Sequence, residues 1–299
     1  MSHLSDSGTA TLLVADELLS LYLPPPGSHK GQNGRLLVIG GSHLFHAASL
    51  WALTVASRIV DLVHYSSVPE NNELVMQAKA EFRNGIVVPR SELESYIRED
   101  DCILIGPGMT RDEETKSLTD KLLAGYPDKQ WVIDAGALQM MDIDLIPKNA
   151  ILTPHHGEFE LLWSKFGTEV QKSPRRQGYR EQAKVRNEAE RVSFIAQAFN
   201  CIVLLKGPFD IVCSPTANRR IDGGNAGMTK GGTGDVLAGL IAALACKNDP
   251  FLAACAGSYA NKLAGDELYK TVGPYFNATD LSGQIPRTLA AMTAGKRRV

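Results

Sequence analysis

Cysteine is scarce in this sequence. There are five in 299 residues, at Cys102, Cys201, Cys213, Cys246 and Cys255, and no two form a Cys-x-x-Cys pair. An odd, scattered set is neither a disulfide framework nor a zinc site. Four of the five sit in apolar surroundings, where cysteine acts as a small hydrophobe. Unpaired thiols fit a reducing, cytoplasmic setting. Long apolar runs are missing too. The longest, Val236 to Cys246, is too short to cross a bilayer and contains a glycine. The start, Met-Ser-His-Leu-Ser-Asp, has no basic segment leading into an apolar one, so a secretory signal is not expected. Neither sign of charge dominates: the formal net charge of -2 excludes nucleic acid and anionic membranes as main partners.

Common chemical signatures are absent as well. No Gly-x-x-x-x-Gly-Lys-Ser/Thr occurs, so a P-loop enzyme is not expected, and no Gly-x-Gly-x-x-Gly follows the first strand, so a nicotinamide-type Rossmann site is unsupported. No His-Glu-x-x-His or Gly-x-Ser-x-Gly is present. His155, His156 and Glu158 have the right side chains for a metal, but adjacent histidines in a strand or turn point different ways, so zinc is not expected there.

What is present is a repeated strand-then-turn pattern. A short helical lead occupies residues 1–30, with a helix expected over Val14 to Leu21 and a turn at Pro24-Pro25-Pro26-Gly27. Then come apolar strands at Arg35 to Ile39, Cys102 to Ile105, Trp131 to Ile133, Ala150 to Leu152 and Cys201 to Leu205. Their near-continuous apolar character is that of strands buried on both faces. The first is followed by a helix to about Val60. Strands alternating with helices predict an α/β fold, with a mostly parallel central sheet and helices on both faces, in one domain over residues 1–299.

Each strand ends in a glycine-rich or polar cluster. These are Gly40-Gly41-Ser42, Gly106-Pro107-Gly108, Asp134-Ala135-Gly136, Thr153-Pro154-His155-His156-Gly157-Glu158, and Lys206-Gly207. Any one cluster reads best as a tight turn. Ligands in open α/β sheets bind beyond the carboxyl ends of the strands, so five together predict one shared site on one sheet edge. Residues 172–200 are expected to form a long polar helix. Its Lys172, Arg175, Arg176, Arg180, Lys184, Arg186 and Arg191 alternate with Glu181, Glu188 and Glu190, which describes a solvated face.

The most informative segment is Gly223 to Asp235, with six glycines in thirteen residues, entering the apolar helical run that starts at Val236. A glycine-rich loop opening a helix leaves backbone N–H groups unpaired at the positive end of the helix dipole, and so suits phosphate. Asp235 could be a helix cap, as could Thr233. A carboxylate beside a phosphate site can also take the proton of an attacking hydroxyl. The surrounding glycines favour this second role, and the two are compatible.

Gly-Thr-Gly-Asp opening an apolar helix late in an α/β chain resembles the ribokinase-like superfamily. The ordered set narrows the match. It comprises the clusters above, Asp134-Ala135-Gly136-Ala137-Leu138, Leu205-Lys206-Gly207, Gly227 to Gly239 and Ala278-Thr279-Asp280-Leu281. Together they resemble the ADP-dependent NAD(P)H-hydrate dehydratases, repair enzymes for hydrated nicotinamide cofactors, over about residues 30–292.

The resemblance implies a ribokinase-like three-layer sandwich. It implies a hydro-lyase that uses ADP, or ATP, with magnesium, to phosphorylate the ring hydroxyl of NADHX or NADPHX and expel phosphate. It assigns the base to Asp235 and contacts with the hydrated dinucleotide to Ala47, Gly108, His155 and Asp235. It assigns the AMP portion of the donor to Lys206, Gly207, Pro208, Phe209, Asp210, Gly232, Thr233 and Gly234. Glu158 is the candidate magnesium ligand. A homo-oligomer is expected, working with a separate epimerase, since 299 residues leave no room for a fused one.

Three positions depart from the family pattern. Gly136 stands where a second acid is common, Lys230 where a small residue is common, and His46 where a glycine often precedes Ala47. The alternatives are a ribokinase-like kinase of a small vitamin-type alcohol, which would share Asp235 and the loop, and a non-catalytic nucleotide sensor, which would have no use for Asp235.

Overall fold

Alternation along each strand sorts the core into two halves. In β2, Leu36 and Val38 pack into one apolar cluster, while Leu37 and Ile39 pack into the other. Leu104 and Ile105 divide in the same way, as do Leu204 and Leu205. A strand that is apolar on both faces has to be covered on both.

The structure is a computed structural model that describes residues 11–12, 15–78, 84–172 and 187–294. In chain order its elements are β1 (Thr11–Leu12), α1 (Ala15–Leu18), β2 (Arg35–Ile39), α2 (His46–Ala56), β3 (Leu62–Ser66), α3 (Pro69–Ala78), β4 (Ile86–Val87), α4 (Leu93–Glu99), β5 (Cys102–Ile105), α5 (Glu113–Gly125), β6 (Gln130–Ile133) and α6 (Ala135–Met140). There follow β7 (Ile151–Leu152), α7 (His156–Lys172), α8 (Glu188–Phe199), β8 (Ile202–Leu205), β9 (Asp210–Cys213), β10 (Asn218–Ile221), α9 (Thr233–Ala245), α10 (Pro250–Val272) and α11 (Ala278–Met292).

The strands form one ten-stranded sheet in the order β1-β10-β9-β8-β7-β6-β5-β2-β3-β4. From β8 to β4 every pairing is parallel, while β9 runs antiparallel to both β8 and β10. Helices α2, α9, α10 and α11 cover one face, and α4 to α8 cover the other. This is the expected three-layer arrangement.

All five sequence-predicted strands are present, within a residue of their expected ends. Two helices are shorter than expected. The leading helix is Ala15–Leu18, and α2 stops at Ala56 rather than near Val60. Of the long polar helix expected over 172–200, residues 173–186 lie outside the described residues, and α8 begins only at Glu188.

Parallel pairing puts the ends of β2, β5, β6, β7 and β8 on one edge, as expected. The β9–β10 hairpin adds a second source of residues to that edge. Because β9 is antiparallel, its first residue, Asp210, pairs with the last residue of β10, Ile221, and both lie at the same rim. The loop from 222 to 232 therefore leaves the sheet there and delivers α9 to the edge.

Helix α9 lies across the sheet against α2. A Cβ on Gly239 would stand 2.6 Å from both Cα and O of Ala52, so the two backbones approach too closely for a side chain. The Gly239→Ala protein is expected to lose about 1–3 kcal/mol through this overpacking. Urea unfolding with an unchanged m value would read the loss.

Candidate active site

Five strand ends and the α9 N-terminus meet at this edge, and one ammonium sits among them. Lys206 follows β8, and an isolated parallel bridge ties it to His155. Its Nζ lies 2.9 Å from Asp134 Oδ1 and 3.9 Å from Glu158 Oε2. Burial alone would push the Lys206 ammonium down, but the Asp134, Glu158 and Asp235 carboxylates outweigh it and hold the pKa above the ordinary lysine range.

Asp134 directly follows β6 and is 2 % exposed. It occupies the N-cap position of α6, yet its carboxylate makes no cap bond. Instead Oδ1 accepts from Thr153 Oγ1 at 2.7 Å and from Lys206. The next residue, Ala135, has a left-handed φ of 43°. Such a backbone costs an L-residue on the order of 1–3 kcal/mol and persists only where its surroundings impose it.

Glu158, also buried, has both oxygens engaged. Oε1 accepts from Gln139 Nε2 at 2.9 Å, and Oε2 accepts from the His155 backbone N–H at 2.8 Å. His155 Nδ1 accepts the Gly157 N–H at 3.0 Å, so in neutral imidazole the proton is on Nε2, 3.6 Å from Glu158 Oε1. The role of magnesium ligand suggested for Glu158 does not fit this geometry: the carboxylate orders the turn and faces a cation. His156 points away, to Glu188 Oε1 at 2.6 Å, so the adjacent histidines diverge as expected.

Asp235 is the third residue of α9. Burial, then the nearby Asp134 charge, pushes its carboxyl up to about 7; Lys206 opposes this and Glu158 adds to it. Gly232 is the N-cap of α9, with φ of 96°, and a Cβ there would meet Trp51 Cζ3 at 2.3 Å. Only glycine fits both the conformation and the space. Thr233 does not cap the helix. Its hydroxyl donates back to the Met228 and Lys230 carbonyls at 2.7 and 3.0 Å. Val236 N, bonded to Gly232 O at 3.0 Å, reaches back into the turn. The Gly234 N–H falls in the first turn, where no helical acceptor exists, and a Cβ on Gly234 would lie 3.6 Å from Lys206 Nζ.

Beside this group opens a cleft of about 640 Å³, a size that takes a small-molecule ligand. His155, Lys206, Gly207, Pro208, Gly223 to Ala226, Thr233 and Gly234 line it. One buried cation braces its walls. Lys262 Nζ donates to the carbonyls of Gly207 at 3.0 Å and Gly223 at 3.3 Å, and lies 3.2 Å from Asp210 Oδ1. Asp210 also accepts from Gly207 N at 3.0 Å and Ser258 Oγ at 2.7 Å. Its carboxylate is bonded within the turn, and Asp210 also lines the cleft. Asp266 holds the opposite rim, accepting from Gly224 N at 3.0 Å and Asn225 Nδ2 at 2.9 Å.

The remaining sequence candidates lie further along the edge. Ala47 is exposed in the first turn of α2, one turn before Trp51 and so on the face that meets Gly232. Gly108 is pressed against that same turn: a Cβ would meet Phe45 O at 2.8 Å. Neither lines the cleft. Phe209 does not either; it is exposed, with the Arg220 guanidinium 3.8 Å above its ring. His46 Nδ1 pairs with Asn71 Oδ1 at 3.1 Å. Lys230 turns to the Pro274 carbonyl and the Phe276 ring. Gly136 is glycine for a steric reason, since a Cβ would stand 2.2 Å from Met109 O.

Asp134, Lys262 and Asp266 were not among the sequence candidates. Asp134 carried a signal, as the last residue before a glycine cluster at a strand end. Lys262 and Asp266 carried none, being polar residues inside a long helix.

The fold class is that of the ribokinase-like proteins. A ribokinase-like superfamily protein of Enterococcus faecalis superposes with a TM-score of 0.78 at 23 % identity, over 98 % of this chain and 99 % of the other. The model of the NAD(P)H-hydrate dehydratase family matches residues 36–287, and the chain belongs to that family. The ADP-dependent (S)-NAD(P)H-hydrate dehydratase of Cenarchaeum symbiosum is 32 % identical, over 94 % of this chain and 97 % of that protein. The bifunctional NAD(P)H-hydrate repair enzyme of Methanocaldococcus jannaschii is 34 % identical over 91 % of this chain, which spans 51 % of that protein's length. This chain thus spans about half the length of several of the curated relatives it matches.

A raised Asp235 pKa has a thermodynamic consequence. Protonated Asp235 is favoured in the folded state. The contribution is therefore fully present below the ordinary value of 3.8 and is lost as pH rises through about 7. Asp235→Asn mimics the protonated form. Its melting temperature should exceed that of the unaltered protein by a margin that widens from pH 5 to pH 8. A constant margin would reject the shift.

Proposed function

We propose that this chain dehydrates hydrated NADH and NADPH with ADP as phosphoryl donor. The observation that carries the reading is Asp235, a carboxylate with a pKa near neutrality, set at the N-terminus of α9 beside the Lys206 ammonium. Family membership and the name of the Cenarchaeum relative support the substrate and the donor.

Hydroxide is a poor leaving group and phosphate a good one. In the proposed reaction Asp235 takes the proton of the ring hydroxyl as its oxygen attacks the terminal phosphorus of ADP. The P–O bond to AMP breaks. The ring nitrogen lone pair then expels phosphate, loss of the neighbouring ring proton restores the double bond, and NAD(P)H, AMP and phosphate result.

The Gly234 N–H and the Lys206 ammonium stabilise charge on the transferring group. Gly207, Pro208 and Gly223 to Ala226 hold the rest of the donor. His155, reached from the same turn as Glu158, is placed for the substrate, with Ala47 and Gly108 further along the edge. Magnesium accompanies such donors, held largely by phosphate oxygens and water. Among the described residues, the grouping with metal-ligand spacing is His156, Glu160 and Glu188, where Glu160 is already paired with Arg191. No such grouping among the described residues includes Asp235.

The reading includes a cytoplasmic homo-oligomer that works beside a separate epimerase. The five free thiols support a reducing compartment, and among the described residues no helix is long and apolar enough to cross a membrane.

The test is incubation of the protein with NADHX, magnesium and either ADP or ATP, following recovery of reduced-nicotinamide absorbance. No recovery with either donor sinks the proposal. A phosphorylated small alcohol as the product would favour the kinase alternative instead. Asp235→Asn is expected to lose turnover by about a hundredfold or more while still binding ADP. In the unaltered enzyme kcat/KM should fall about tenfold per pH unit below about 7, because the base must be ionised to act.

A further inference from the structure

One side chain in the cleft has chemistry that the proposed reaction does not use. Asn261, on α10, is 5 % exposed and lines the cleft together with Met228, Leu237 and Pro208. Its Oδ1 is buried without a hydrogen-bond partner. Its neighbour Lys262 makes four polar contacts. A buried carboxamide left unpaired is destabilising, and native structures retain few such groups. Beside a cavity, such an acceptor is free for a donor on a ligand.

We infer that Asn261 reads the purine of the phosphoryl donor and selects adenine through its 6-amino group; this rests on the nucleotide reading of the cleft. A carboxamide carries an acceptor and a donor on two prongs that both point away from Cβ. A ligand edge that meets one prong can meet the other. Adenine offers the complement on its N6/N7 edge: the 6-amino group donates to Oδ1, and ring nitrogen N7 accepts from Nδ2. A 6-oxo purine presents two acceptors, O6 and N7, on that edge, so Oδ1 meets an acceptor whichever way the carboxamide turns. Pro208, Met228 and Leu237 supply apolar surface for a flat base. Lys206 and Gly234, which line the same cleft beside Asp235, take the phosphates. A donor whose phosphates sit at Lys206 in this cleft carries its base within the same cleft, so the base assigned to Asn261 is that of the donor rather than the adenine of the dinucleotide substrate.

Calorimetric titration of the full chain with ADP and with inosine diphosphate tests this without turnover. The unaltered protein should bind ADP about tenfold or more tightly over the 6-oxo analogue. In Asn261→Ala, ADP should weaken about tenfold while the analogue stays within twofold, so that discrimination collapses. A structural role would weaken both in parallel, and that result overturns the inference. Equal affinities in the unaltered protein also overturn it, and that arm needs no variant to fold. NADH and its hypoxanthine analogue, titrated in the same way, read the other source of adenine. Discrimination lost there instead would move the base to the substrate and overturn the assignment. Binding of neither diphosphate overturns both this inference and the dehydratase reading. Normal NADHX turnover without discrimination overturns the inference alone.

Discussion

The site depends on the placement of one half-buried ammonium among three carboxylates. Lys206 bonds Asp134, faces Glu158 and lowers the Asp235 pKa that its neighbours raise. The group as a whole carries an excess of negative charge in a partly dry pocket. Such an excess is tolerable when a proton is held part of the time, and the proton falls to Asp235, the member set at the opening of α9. The same imbalance that makes Asp235 basic enough to accept a proton also makes the edge receptive to a further cation or a proton-bearing ligand.

Rigidity around that group comes from a second lysine, a buried one. Lys262 ties the turn after β8 to the loop after β10, and Asp266 fixes the far rim of the same loop. Glycine-rich loops are otherwise costly to order, because glycine has the most freedom to lose. Here helix α10, already ordered by its own packing, supplies the polar anchors. The loop is therefore shaped before any ligand arrives, which is what a phosphate-binding backbone requires.

Much of this was legible in the sequence. The five parallel strands announced themselves as apolar runs, and their turns pointed to one edge. Asp235 could be picked out because glycines flank it. The β9–β10 hairpin was not legible. Asn218 to Ile221 has three polar residues out of four, since β10 lies near the sheet's edge and needs little apolar burial. The contacts within the site were also hidden. Asp210 was a ligand residue by family resemblance, but three-dimensional closure brings Ser258 and Lys262 to it from about fifty residues away. Glu158 looked free to hold a metal, and the backbone of its own turn occupies it. Spacing shows which residues share an edge; it does not show which of their atoms are already bonded.

Trp51 packs where a Cβ of Gly232 would be and donates its indole N–H to Thr279 Oγ1 at 3.1 Å. The other two tryptophans, Trp131 and Trp163, belong to the opposite half of the core. The chain thus carries one indole fluorophore against the backbone of its glycine-rich loop and two in the other half of the core. Emission from Trp51 is a built-in optical readout of how that loop is packed, against a background set by two rings that the loop does not touch.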